Sequence, residues 1–177
     1  MFSEKTKKRV PKRPTKTRLY NIALYYLERF ETSKENLRNV LKRRIDKYVF
    51  FDKDFNKEQA YIWADEVVNE CATKKFVCDE RFAEFKINSY LRLGKPKRYI
   101  EQKLKQKGIE DKIVAKIFDE SEYNEFDIAL NFAKKKKIGP YRESDKIRKE
   151  YYQKDYALLI RAGFSFDIIK DILDRTE

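Results

Sequence analysis

Two stretches of this chain align residue on residue without a gap: LKQKGIEDKIVAKIFDE at 104–120 and LIRAGFSFDIIKDILDR at 159–175. Leu104 falls on Leu159, Gly108 on Gly163, Ile113 on Ile168, Ile117 on Ile172 and Asp119 on Asp174. An internal repeat constrains a fold more tightly than composition does, because each copy must form the same unit and bury the same face. In both copies a helix runs to a glycine, an apolar residue follows (Ile109, Phe164), and a second helix begins. Glycine there supplies the left-handed backbone that closes a helix, and the next apolar residue packs back on the helix just ended. The second helix carries apolar residues at i, i+1, i+4 and i+5: Ile113, Val114, Ile117 and Phe118, then Ile168, Ile169, Ile172 and Leu173. That spacing leaves one face to bury.

Upstream of each copy lies a further helical pattern, DERFAEFKINSYLRLG at 79–94 and YNEFDIALNFAKKKKIG at 123–139. A more divergent first copy spans RLYNIALYYLERFETSKENLRNVLKRRI at 18–45, with its third helix in NKEQAYIWADEVVNECATKK at 56–75. The chain therefore reads as all-α: three tandem three-helix modules over 18–78, 79–121 and 122–177, forming a repeat-like body behind a basic, disordered arm at 1–17. Each module alone has a small core, so neighbours are expected to share apolar surface. Four glycines and four prolines in 177 residues argue against a turn-rich strand fold. Helix starts are expected at a Thr32-x-x-Glu35 capping box, at Asn56, Asp79, Ser144 and Ser165, and at Pro96 in a first turn. Lys42, Arg43 and Arg44 are expected to close the second helix.

The chemistry excluded is extensive. The chain has no histidine, the commonest general base, and no Gly-rich phosphate cradle. With two cysteines alone, Cys71 and Cys78, a structural zinc site lacks ligands, and free thiols suit a reducing compartment. Asp52-Lys53-Asp54-Phe55-Asn56 imitates a calcium loop but has Lys57 where glycine is needed and Trp63 where a bidentate glutamate is needed. It reads as a turn and a helix cap. No enzyme, cofactor or metal is expected, with an unrecognised carboxylate-dependent activity the remaining option. No run approaches the roughly 18–20 apolar residues of a membrane span, and a basic start without an apolar segment does not resemble a secretory signal. A cytoplasmic protein is expected.

Charge points to an anionic partner. The net charge is +12, and residues 1–18 hold eight Lys/Arg against Glu4 alone. Further clusters lie at Gly94-Lys95-Pro96-Lys97-Arg98, at Lys103, Lys105 and Lys107, and at Lys134 to Lys137. Lysine near a helix C-terminus also complements the helix dipole, and charge runs are commonly a wet face. Equivalent positions recurring in successive modules favour a shared surface. Most aromatics fall at helical spacing and are expected in the core.

The motifs in order have a family likeness. Cys78-Asp79-Glu80-Arg81-Phe82-Ala83 resembles the D-[DE]-x-[RK]-F-A signature that opens the central module of RecX-family proteins. Tyr90-Leu91-Arg92-Leu93-Gly94-Lys95-Pro96-Lys97-Arg98-Tyr99-Ile100, then Leu104-Lys105-Gln106-Lys107-Gly108-Ile109, are similar to the segments that follow it in the family. Ala162-Gly163-Phe164-Ser165-Phe166-Asp167-Ile168 resembles the family's common ending, and Lys135-Lys136-Lys137-Ile138-Gly139-Pro140-Tyr141 its basic linker. The likeness covers roughly 18–175. It implies a curved, elongated body that binds along the groove of a RecA filament on single-stranded DNA and limits its growth, ATP hydrolysis and strand exchange.

By matching position, the implied filament face is Arg81, Arg92, Lys95, Lys97, Arg98 and Lys105, with Lys135, Lys136, Arg142 and Arg161 from the last module. A monomer is expected, with single-stranded DNA an indirect or secondary partner and no membrane. The aromatic loop Tyr48–Asn56 and the basic arm depart from the family pattern. The competing expectation is a helical protein that binds nucleic acid directly, without a recombinase.

Overall fold

The computed structural model describes residues 11–175. Every regular element among them is helical: α1 (Lys16–Leu27), α2 (Lys34–Val49), α3 (Lys57–Thr73), α4 (Asp79–Arg92), α5 (Lys97–Lys105), α6 (Asp111–Asp119), α7 (Glu125–Lys136), a 3-10 turn (Gly139–Tyr141), α8 (Asp145–Ala162) and α9 (Phe166–Leu173). The chain divides into two units, one up to Asp79 and the other from Glu80 onward. The third-module helix starts at Asn124, Ser144 and Ser165 are occupied as N-caps.

In the first unit, α1, α2 and α3 enclose Leu19, Ala23, Leu37, Leu41, Ile45, Ala64, Val67, Val68 and Cys71. Residues 1–10 of the expected arm lie outside the described residues. Beyond them, Pro14 is buried and Thr15 caps α1, its hydroxyl accepting the Arg18 N–H, so the expected boundary at 17 falls inside α1. The α2 cap also sits one residue from its expected place. Ser33, not Thr32, accepts the Asn36 N–H, Thr32 accepts from the Asn36 side chain, and Glu35 pairs with Arg38 instead of reaching back. Asp79 is the first residue of α4 rather than its cap. Its carboxylate accepts the Lys34 N–H at 2.8 Å and lies 3.3 Å from the Lys34 ammonium, so it serves the start of α2. Because α2 continues to Val49, Lys42, Arg43 and Arg44 lie within it. Asn56 caps α3 as expected, and Asp52–Asn56 is a turn with Phe55 buried.

The second unit has two cores that follow the repeat. Phe82, Ala83, Ile87, Ile100, Leu104, Ile109, Val114 and Phe118 form one; Ala129, Ala133, Ile138, Leu159, Phe164, Ile169, Ile172 and Leu173 form the other. The repeat-matched pairs Leu104 and Leu159, Ile109 and Phe164, and Val114 and Ile169 are buried in both. The closing turns match in their hydrogen bonds as well. Gly108 and Gly163 have φ of 72° and 103°, and the N–H after each reaches back to the Leu104 and Leu159 carbonyls. The turn after α7 makes the same bonds with Lys137 in the left-handed position, so α7 ends on the basic run Lys134 to Lys137, ahead of Gly139. Gly139 instead opens the 3-10 turn. Pro96 is one residue ahead of its expected place, as the α5 cap.

Candidate functional site

Six of the ten residues expected on the filament face occupy α4, α5 and the turn between them. Arg81 and Arg92 are exposed on α4, and Arg98 and Lys105 are exposed on α5. Lys95 and Lys97 are half-buried and each lies over an aromatic ring, Lys95 at 5.0 Å from the Tyr99 centroid and Lys97 at 5.0 Å from that of Phe118. A ring face attracts an ammonium and fixes the side chain along it, so these two cations are held in place at little desolvation cost. Tyr99 meets Tyr90 edge-on at 5.7 Å, and Phe118 meets Tyr123 edge-on at 5.0 Å. The aromatic backing of the basic turn escapes a reading of spacing alone, because Phe118 and Tyr123 come from the end of α6 and the turn beyond it.

Tyr123 has a second contact, its phenol oxygen accepting the Lys97 N–H at 2.9 Å. Burial pushes this phenol up to about 12 from an ordinary 10. The unfolded chain therefore loses the proton first, and stability falls as pH rises from about 10 to about 12. Tyr123→Phe is expected to flatten that alkaline slope, as read by urea unfolding at stepped pH, while costing about 1 kcal/mol at neutral pH for the lost bond. An unchanged slope would assign the alkaline loss to the lysines.

The last module distributes its expected residues differently. Lys135 and Lys136 are exposed at the end of α7, and Arg161 is exposed in the last turn of α8, where all three complement the dipole. Arg142 is half-buried and paired. Its guanidinium makes a two-bond pair with Asp155, at 2.8 and 2.6 Å, and lies over Tyr151 at 4.4 Å. Asp155 is 2% exposed. Its bond raises the Arg142 pKa further, and the pair fastens the 3-10 turn to α8. Arg142 is thereby committed to the fold instead of to a free cationic face. Lys105 lies 3.8 Å from Asp111, an exposed pair that salt readily screens.

Of the ten, Lys97 and Arg98 share one concavity. They line an open groove with Glu101 and Glu125, opposite Ile160 and the turn Gly163–Asp167. A Cβ on Gly163 would stand 3.4 Å from Pro96 and 3.8 Å from Tyr99, so the turn that ends α8 packs directly on the start of α5. Phe166 remains 66% exposed at this groove. Glu101, Glu125 and Asp167 make the groove mixed in charge, suited to a protein surface bearing both signs more than to a bare phosphate chain. Among the described residues no cluster could hold a metal ion, and no helix is long and apolar enough to cross a membrane. Cys71 is buried, and burial pushes its thiol up, away from reactivity.

The family model described as the second three-helix domain of RecX matches residues 79–116. Regulatory protein RecX of Myxococcus xanthus is 38% identical over 176 residues, covering 97% of this chain and 94% of the relative. The chain belongs to the RecX family. Regulatory protein RecX of Agrobacterium fabrum is 31% identical over 159 residues, covering 88% of this chain and 82% of its own. The crystal structure of RecX from Lactobacillus salivarius shares the fold, with a TM-score of 0.65 and 22% identity over 90% of this chain and 96% of that one. A regulatory role follows from membership, and the all-helical, module-by-module reading agrees with the family's architecture.

Proposed function

We propose that this chain binds RecA filaments assembled on single-stranded DNA and lowers their ATP turnover and strand exchange. The observation that carries the reading is the family match in the central module, since residues 79–116 hold Arg81, Arg92, Lys95, Lys97, Arg98 and Lys105 together. Lys97 and Arg98 add a mixed-charge groove at which a protein surface can register. No chemistry is asked of the chain; the filament hydrolyses ATP, and the bound regulator changes how readily it does so.

The test compares the full chain on single-stranded DNA alone with the same DNA coated by RecA and a slowly hydrolysed ATP analogue, at near-physiological salt. ATP turnover is followed in parallel. Binding to the filament is expected to be tighter than to bare DNA, with a fall in turnover. Lys97→Glu with Arg98→Glu should weaken filament binding by about ten-fold or more, because like charges then face any acidic patch that had met them. Binding no tighter to the filament than to bare DNA, with turnover unchanged, would sink the filament reading in favour of direct nucleic-acid binding.

A further inference from the structure

The first unit carries a cationic groove that lies outside residues 79–116, the span of the matching family model. It is lined by Lys12 before α1, Arg18 in the first turn of α1, and Arg44 and Lys47 on α2, with Asn21 and Tyr25 from α1 along the wall. Among the described residues no aspartate or glutamate lines it. None of the four cations has a carboxylate partner among the described residues. Within this unit Lys16 pairs with Glu66, Arg38 with Asp65, Lys57 with Asp46 and Lys74 with Glu70. Four cations around one concavity thus meet no carboxylate of the described residues, in a chain where 42 Lys/Arg outnumber 30 Asp/Glu. The first turn of α1 adds the positive end of its dipole.

A second observation narrows the ligand. Tyr25 is 59% exposed, and the Arg29 guanidinium lies 3.6 Å from its ring centroid. A phenol backed by a guanidinium is a flat, rigid platform of the kind on which an unpaired base stacks, and stacking of this sort tolerates any base. A duplex keeps its bases stacked on each other and gains nothing from it. An acidic peptide could meet the cations but has no use for the platform. The chain's own N-terminus is a poor occupant, because residues 1–10 hold Lys5, Lys7, Lys8 and Arg9 against Glu4 alone.

We propose that this groove binds single-stranded nucleic acid, with Lys12, Arg18, Arg44 and Lys47 on its phosphates and Tyr25 beneath a base. Contact with the strand is then direct and made by residues of the first unit. The proposal does not rest on the filament reading, because its test contains no recombinase.

The test is fluorescence anisotropy of the full chain with labelled oligo-dT of about 16 nucleotides, the upper end of what one small site covers. Four phosphate contacts predict a slope of log affinity against log salt of about −3. Arg44→Gln with Lys47→Gln should weaken binding about ten-fold and reduce that slope by about 1.4. Tyr25→Leu should weaken it by about ten-fold with the slope unchanged. Lys146→Gln with Lys149→Gln, which removes the same charge from exposed positions on α8, should do neither. All four altered cations are exposed or at the surface of a helix, so melting temperatures should stay with the parent. Equal loss in the α8 control would mean diffuse charge and overturn the site. Tyr25→Leu without effect, duplex DNA binding as well as the single strand, or poly-glutamate displacing the oligonucleotide at lower concentration would each overturn the assignment to a single strand.

Discussion

Asp155→Ala is expected to destabilise the second unit by about 3–5 kcal/mol, the cost of removing one partner from a buried ion pair. The carboxylate accepts three bonds at once, two from Arg142 and one from the Gly139 N–H at 2.9 Å. Without it, a largely covered guanidinium and a buried N–H are both left unsatisfied, and each adds its own desolvation penalty. Relief by backbone movement is restricted, since a Cβ at Gly139 would already stand 2.9 Å from the Leu173 side chain. Asp155→Asn keeps the shape and can still accept from Gly139 but loses the charge, so an intermediate loss is expected. In a double-mutant cycle with Arg142→Ala the two losses should fall well short of additive. Urea unfolding of the full chain measures all three. A loss below about 1 kcal/mol for Asp155→Ala would show that water replaces the carboxylate, and would return Arg142 to the pool of available surface cations.

Arg142 also shows where sequence reading stops. Its counterparts Lys97 and Arg98 could be placed near the surface from the local pattern of a Gly-Lys-Pro-Lys-Arg turn, where Arg98 is exposed and Lys97 half-buried. Whether a given cation finds a buried carboxylate depends on a residue thirteen positions away, on another helix, and nothing in the local spacing announces it. Asp79 is the same case at a separation of 45 residues: locally it looks like a cap for its own helix, yet its carboxylate meets Lys34. The core was legible for the opposite reason. Leu104, Gly108, Ile109 and Val114 are matched by Leu159, Gly163, Phe164 and Ile169 because the same packing problem is solved twice, and repetition exposes the solution. Capping errors of one residue, as at Thr32 and Ser33, reflect neighbouring hydroxyls that compete for the same N–H groups and are separated only by the backbone angle at each. The groove of the first unit is not legible in the sequence because its cations come from two segments, around 12–18 and 44–47, that each read as an ordinary basic run.

Phe164→Ala tests whether the repeat's buried aromatic ties stability to the candidate filament groove. Phe164 is 2% exposed, meets Phe132 at 5.5 Å between ring centroids, and donates its N–H to the Leu159 carbonyl in the turn that ends α8. Truncation loses the transfer energy of the ring and leaves a cavity among Leu159, Ile169 and Ile172, for an expected cost of about 3–5 kcal/mol. Phe164→Leu refills most of that volume and should lose less than half as much. The same side chain lines the groove beside Lys97 and Arg98, so a loosened turn shifts the wall against which a partner would register. Filament binding is therefore expected to weaken even at temperatures where the variant remains folded. Hydrogen exchange separates the local effect from a global one. Protection should fall across α7, α8 and α9 and be retained in α1, α2 and α3, whose core is their own. A uniform loss across all amides would mean that the two units unfold as one, and that the stability of the groove belongs to the whole chain instead of to its last module.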